Sequence, residues 1–429
     1  MDLNTALTKA HDEYTQQNPK SLARHQTALD VMPGGNTRSV LFNLPFPLGV
    51  AKAESCKIYD LDGHEYIDFL GEYTAGIYGH SHPVIRAAID KALDNGLNFG
   101  GTNETEVKLA QAICERFPSI DRIRFTNSGT EANLMAITAA RRHTNRSHIL
   151  VFAGAYHGGV LYFSTGKKNP VNAPYDFVLA PYNDVDATRA LIQEHSANLA
   201  AVLLEPMMGS GGCIQASTSF LQMLRDECTQ HQIVLIFDEV MTSRLAPGGF
   251  QEAVGVLPDM TTLGKYIGGG MSFGAFGGRV ELMDHYNPHL PDALPHAGTF
   301  NNNVLTMNAG LAGLTQVYTP DAARKLNEQG EDLRRRLNQL CQRAEAPMQF
   351  TGRGSMMTVH MTDAPIHSPT DAAKGNQALR ELFFFDMVNS GIWLAPRGMI
   401  NLSLPHNESQ LNDLVDAVGA FVEQRECFL

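Results

Sequence analysis

Lys265 lies in the stretch TTLGKYIGGGMSFGAFGG, residues 261–278, and is the only lysine between Lys168 and Lys325. Lysines ordinarily decorate solvated faces, yet Leu263, Tyr266 and Ile267 flank this one and a dense run of glycines follows it. Glycine at that density suits backbone pressed against a ligand or turns that need positive φ. A desolvated lysine amine has one general use: its pKa falls to about 7–8, and it becomes a nucleophile toward carbonyls and a proton shuttle. The bland alternative is a loop lysine between a helix and a turn.

Four other stretches carry groups that could serve chemistry. RFTNSGTEANLMAI places Ser128, Gly129 and Thr130 between an apolar run and a helical pattern. Ser128 and Glu131 fit an S-x-x-E capping box, which needs no ligand; the same helix start, with two hydroxyls and a glycine, could cradle a phosphate. Taken alone, the cap is the simpler reading, and neither a Walker pattern nor a GxGxxG run points to a nucleotide. IVLIFDEVMT ends an apolar strand in Asp238, either a solvated strand tip or a buried acid that wants a cationic partner. AYHGG offers Tyr156 and His157, and LLEPMMGSGG offers Glu205, in the same topological position. An aromatic followed by histidine serves packing as readily as catalysis.

Jointly, these loops ask for one ligand: a phosphate for Ser128–Thr130, a carbonyl for Lys265, a ring for Tyr156 and a protonated ring nitrogen for Asp238. Pyridoxal 5'-phosphate carries all four. An ion pair near 4 Å at an effective dielectric near 20 is worth about 4 kcal/mol. That would raise the pKa of a ring nitrogen beside Asp238 by roughly three.

The elements that must position these groups alternate. Short apolar runs (IRF, ILVF, LAAVLL, IVLIF) are interleaved with helical patterns such as EANLMAITAARRH and FLQMLRDECTQH. That rhythm predicts an α/β fold with a mostly parallel central sheet flanked by helices, its ligand at the carboxyl ends of the strands. Residues 1 to about 30 read as helical, KIYDLDGHEYIDF as a hairpin about Asp62-Gly63, and a long helical region runs on from about Ala309. Residues 349–429 mix strands and helices. The expected division is an N-terminal helix and hairpin segment over 1–65, a large ligand-binding domain over 66–320 and a small α+β domain over 321–429. The looser stretches are Gly166–Pro174 and His367–Gly375.

The 429 residues are 43% hydrophobic and 18% charged, with a net charge of -12. No basic block is present to hold nucleic acid or an acidic membrane surface. An anionic substrate would need local arginines, which screening over about 8 Å permits. The polar start MDLNTALTKAHDEY lacks the apolar core of a secretory signal. The six scattered cysteines form no CxxC pair and no metal-site spacing, so they read as reduced thiols of a cytoplasmic protein without a structural metal.

The motifs MPGGNTRS, YDLDGHEYIDF, GHSHP, NSGTEANLMAI, YHGG, EPMMGSGG, FDEVMT, LGKYIGGGMSFGAFGGR, AGTFNNN and LAPRG span nearly the whole chain. In them the sequence resembles the class III aminotransferases of the large pyridoxal-phosphate fold. The frame is similar to the glutamate-1-semialdehyde aminomutases; SVLFNLPFPL, EYTAGIYGH, MTSRLAPGG and APRGMINLSLP are closer to the β-amino acid (β-phenylalanine) aminotransferases. The resemblance implies a ping-pong aminotransferase moving the amino group of an aromatic β-amino acid to 2-oxoglutarate or pyruvate. The alternatives are aminomutase activity and another class III ω-aminotransferase activity. It implies that Lys265 is the Schiff-base lysine, that Asp238 holds the pyridine nitrogen, and that Tyr156 and Val240 cover the two ring faces. Ser128, Gly129 and Thr130 would bind the phosphate, with Thr299 reaching it from the partner subunit of a homodimer, and Glu205 would lie near the ring hydroxyl. Arg38 and Arg397 are the two candidates for the substrate carboxylate, since guanidinium binds carboxylate through paired hydrogen bonds. Val40, Phe42, Phe46, Tyr73 and Tyr78 would line an aryl pocket or belong to the core. The glycines after Lys265 would give clearance to the cofactor and the partner subunit.

Overall fold

The computed structural model describes residues 2–164 and 169–429. Its centre is a seven-stranded sheet: β1 (Arg122–Thr126), β2 (His148–Phe152), β3 (Asp176–Ala180), β4 (Leu199–Leu204), β5 (Val234–Asp238), β6 (Met260–Gly264) and β7 (Gly274–Gly278). The strands lie in the order β3-β2-β4-β5-β6-β7-β1. From β3 to β6 every pairing is parallel, as the interleaved apolar runs predict. β4, β5, β6 and β7 are buried along their whole length, which is why they read as continuous apolar or small-residue runs.

The sheet departs from the predicted pattern at β7, which runs antiparallel to both β6 and β1. The glycine ribbon is thus a strand pair joined by the turn Lys265–Gly268. Two of its glycines are demanded by the chain's own backbone: a Cβ on Gly274 would stand 2.1 Å from the Ser128 carbonyl oxygen, and one on Gly269 would stand 2.4 Å from the Ala309 carbonyl carbon. Close backbone packing thus accounts for Gly269 and Gly274, whereas Gly270 has open space beside it. The edge strand β3 was not anticipated, because DFVLA is short and half-exposed. The long helical region divides: helix Val304–Ala312 and a wider turn over Gly313–Val317 precede helix Pro320–Arg343. Pro320 cannot continue a helix from before it, and Thr319 caps the new one.

The chain's two ends meet beside this sheet. Strands Val50–Glu54, Lys57–Asp60 and Glu65–Asp68 form an antiparallel meander, the last pairing parallel with Ile392–Trp393. Strands Gln349–Arg353, Met356–His360 and Met399–Asn401 form a second antiparallel sheet. Helix Leu3–Gln17 packs on helix Gln377–Asn389, with the Tyr14 and Phe385 rings 5.3 Å apart. Phe46 joins this cluster, 5.1 Å from Tyr14, and Tyr78 packs 6.4 Å from Tyr266; both are buried and belong to the core. Val40 and Phe42 are exposed.

His367–Gly375 contains a capped helical turn, Pro369–Ala372; Gly166–Pro174 lies partly outside the described residues. Among the described residues no helix is long and apolar enough to cross a membrane, and no cluster of three or more metal-ligating side chains occurs. The six cysteines are free, and four of them are buried.

Candidate active site

The carboxyl ends of the central strands bring the predicted groups together. After β1 the chain turns at Ser128 into helix α1 (Gly129–Thr144), and the Ser128 hydroxyl accepts from the Glu131 amide at 3.2 Å. The Thr130 hydroxyl accepts from the Gly159 amide at 3.2 Å, joining this helix start to the loop after β2. A Cβ on Gly129 would stand 2.7 Å from Val240 Cγ2, and one on Gly264 would stand 3.0 Å from Val240 Cγ1. Val240 is therefore wedged between the helix start and the residue before Lys265. The Ser128 cap is present, while Glu131 Oε2 accepts from the Asn127 amide at 2.9 Å and not from the Ser128 amide, so the expected capping box is only half formed.

Asp238, at the tip of β5, is 4% exposed. Its Oδ2 accepts from Asn133 Nδ2 at 2.8 Å and lies 2.8 Å from His157 Nδ1; its Oδ1 accepts the Val240 amide at 3.0 Å. Asn133 is fixed in turn by the Thr262 hydroxyl, 2.8 Å from its Oδ1. A buried carboxylate without a lysine or arginine partner is costly. Oδ1 keeps acceptor capacity beyond one amide, so the acid fits a protonated ring nitrogen. Tyr156 keeps 43% of its surface exposed although its backbone amide is fastened to Glu205 Oε1 at 3.0 Å. A large, anchored, uncovered aromatic face suits a stacked ring. Glu205 also accepts the Gly209 amide at 2.9 Å. Burial pushes its carboxyl up to about 7, and Asp238 adds to the rise against the lowering effect of His157.

Lys265 closes the site from the end of β6. Its φ of 54° is left-handed, a conformation that costs a non-glycine residue about 1–2 kcal/mol and that clusters at functional sites. Burial, followed by the positive charge of Arg397, lowers its amine to about 8; Glu72 acts in the opposite direction. The amine thus has the depressed basicity that the glycine-rich surroundings imply.

The two candidate arginines face one ring. The Arg38 guanidinium lies 5.6 Å from the centre of the Tyr73 ring and that of Arg397 lies 5.0 Å from it. Arg38 is paired with Glu72. Arg397 is bonded only weakly, with Nη1 3.5 Å from Ser210 Oγ and Nη2 3.4 Å from Met399 Sδ, and its buried Nε has no partner among the described residues. Tyr73 sits in a turn, Gly71–Thr74, whose four residues all have positive φ, namely 54°, 47°, 51° and 81°. Three of them are not glycine, so the turn holds strain. Thr299 stands apart: its side chain is exposed, two residues before Asn301, whose Oδ1 accepts from Asn127 Nδ2 at 2.9 Å.

The model of the class III aminotransferases matches residues 43–408. The chain belongs to that family. This aminotransferase is 51% identical to a β-phenylalanine transaminase of Variovorax paradoxus over 98% of its own length and 96% of the relative's. The crystal structure of a β-phenylalanine aminotransferase from that organism superposes with a TM-score of 0.98, covering 99% of each chain at 50% identity. A glutamate-1-semialdehyde 2,1-aminomutase of Citrifermentans bemidjiense is 38% identical, over 89% of this chain and 92% of the relative. A solved transaminase with pyridoxal phosphate bound superposes with a TM-score of 0.87 at 32% identity, over 95% and 98% of the two chains. The protein is a pyridoxal-phosphate-dependent enzyme acting on small-molecule amino and oxo substrates.

Residue types and motifs point to Lys265, Asp238, Tyr156, Glu205, Val240 and Ser128–Thr130, and the fold gathers them. Asn133, Glu72 and the strained turn were missed. Asn133 is one polar residue in an apolar helix face; Glu72 lies in EYTAGIYGH, where nothing marks left-handed backbone.

Proposed function

We propose that this enzyme transfers the amino group of an aromatic β-amino acid, such as β-phenylalanine, to 2-oxoglutarate or pyruvate. The observation that carries the reading is the pair of guanidiniums on Tyr73, one of them without a carboxylate partner among the described residues, beside the Lys265 amine. A β-amino acid carries its carboxylate one carbon further from the reacting carbon than an α-amino acid does, so its anchor must stand away from the amine. Arg38 and Arg397 meet that need, and the high identity to a β-phenylalanine transaminase supports the same substrate class.

In this reading Ser128, Gly129 and Thr130 bind the cofactor phosphate through the helix start, and Asp238, held by Asn133 and His157, keeps the ring nitrogen protonated. Tyr156 and Val240 cover the ring faces, and Glu205 lies near its hydroxyl. Bound pyridoxal phosphate supplies an electron sink for the charge left when the amine-bearing carbon loses its proton. Lys265 would hold the cofactor through its amine and, once free, would move that proton; an amine near 8 exchanges protons readily at neutral pH. The oxo-acid acceptor is received by the same arginines in the reverse half-reaction. The enzyme acts as a cytoplasmic homodimer, Thr299 of each chain completing the phosphate site of the other.

A panel of α-, β- and γ-amino donors against 2-oxoglutarate and pyruvate tests the reading. Glutamate or alanine should form fastest from β-phenylalanine. Conversion of glutamate-1-semialdehyde without any net amino transfer would instead mark an aminomutase.

A further inference from the structure

Arg244 is 0% exposed, and among the described residues its guanidinium donates to neutral oxygens alone. Its Nε donates to Ser355 Oγ at 3.0 Å, its Nη1 to the Thr74 carbonyl at 3.4 Å, and its Nη2 to the Leu402 carbonyl. A wholly buried cation without a counter-charge is a poor way to stabilise a core. A planar fork of fixed donors is, however, a good way to hold three separate segments in one geometry. The segments are informative. Thr74 ends the left-handed turn that carries Glu72 and Tyr73. Leu402 follows the strand Met399–Asn401, which itself follows Arg397. Ser355 lies between the two strands that pair beside it. Asn401 adds to the same junction, its Nδ2 donating to the Leu70 carbonyl at 2.8 Å and its backbone amide to the Phe69 carbonyl at 2.7 Å. The backbone carbonyl of Arg244 accepts from Tyr318 and from Asn327, so the clamp is itself anchored.

We infer that Arg244 is a positioning residue for the substrate carboxylate: it fastens the left-handed turn Gly71–Thr74 to the segment that follows Arg397, and so holds the Tyr73 ring against the Arg38 and Arg397 guanidiniums. The inference rests on the reading that these two arginines receive the carboxylate. Without the clamp the turn, whose non-glycine residues favour other conformations, relaxes, and the two guanidiniums lose their common platform.

The test uses the cofactor-loaded enzyme and 3-phenylpropanoate, an aryl carboxylate without an amine, whose dissociation constant is read by calorimetry. Arg244→Met should weaken its binding at least tenfold. Arg244→Lys, which keeps the charge but cannot reach three acceptors, should weaken it by about threefold to tenfold. Pyridoxal-phosphate affinity should stay within about twofold in both. If Arg244→Met does not fold, Arg244→Lys decides alone. Carboxylate binding within twofold of wild type in the folded variants would overturn the inference, and so would a parallel loss of cofactor affinity, which marks general disruption. Arg38→Ala and Arg397→Ala separate the two levels. Loss of binding there with none in the Arg244 variants removes only the clamp, whereas unchanged binding in both removes the anchor reading itself.

Discussion

Lys265 is set apart by its depressed basicity and Asp238 by its burial. Burial and Arg397 lower the Lys265 amine to about 8. In cofactor-free enzyme, acetylation of Lys265 followed by peptide mapping should therefore rise with pH to a half-maximum near 8, because the neutral amine is the reactive form; Arg397→Ala should move that midpoint up. A midpoint near the usual lysine value of about 10.4 would deny the site its nucleophile. In the proposed site, Asp238 would offer the ring nitrogen a buried carboxylate worth about 4 kcal/mol at an effective dielectric near 20. Asp238→Asn should accordingly lower kcat/KM by about 10²–10³-fold and weaken cofactor retention, measured by steady-state kinetics and by dialysis. The chemistry-bearing residues were legible because their types conflict with their neighbourhoods: a lysine among glycines, an acid after five apolar residues. Arg244 was not legible, since its meaning lies in partners 111, 158 and 170 residues away.

At the scale of elements, the parallel strands β2, β4 and β5 were readable from apolar runs too short for helices, whereas β3 and β6, DFVLA and MTTLG, carry no such run. The antiparallel β7 was not, because GAFGG has a glycine content that signals turns. Its reason is steric and visible only in three dimensions: Gly274 passes under the Ser128 carbonyl and so sets the helix start that is proposed to bind the phosphate. Gly274→Ala puts a methyl group against that backbone. It should destabilise the fold by about 1–3 kcal/mol and weaken pyridoxal-phosphate binding, seen in urea midpoints and in cofactor titration. Full stability with full cofactor affinity would mean that the strand does not set the cradle. The left-handed turn Gly71–Thr74 had no sequence signal beyond Gly71, since Glu72, Tyr73 and Thr74 are not residues that usually adopt positive φ.

For the whole molecule, the net charge of -12 opposes anionic substrates at long range, and the proposed arginine anchor would overcome it locally within a screening length. Carboxylate donors should therefore bind somewhat better as salt rises, until the arginines themselves are screened; KM measured across salt concentrations follows this. The homodimer proposal predicts a solution mass twice the 46.9 kDa of one chain by light scattering. It also predicts that Thr299→Ala lowers cofactor affinity several-fold without dissociating the dimer; a monomer with full affinity would refute the shared site. The central claim, a β-amino acid aminotransferase built on Lys265 and anchored by Arg397, meets its most direct test in one assay. Racemic β-phenylalanine and 2-oxoglutarate are incubated with wild type, Lys265→Ala and Arg397→Ala. The account predicts equal yields of glutamate and β-keto acid from wild type, none from Lys265→Ala, and a KM for the donor raised at least tenfold in Arg397→Ala. No glutamate from the wild-type enzyme, or undiminished turnover without Lys265, would contradict it.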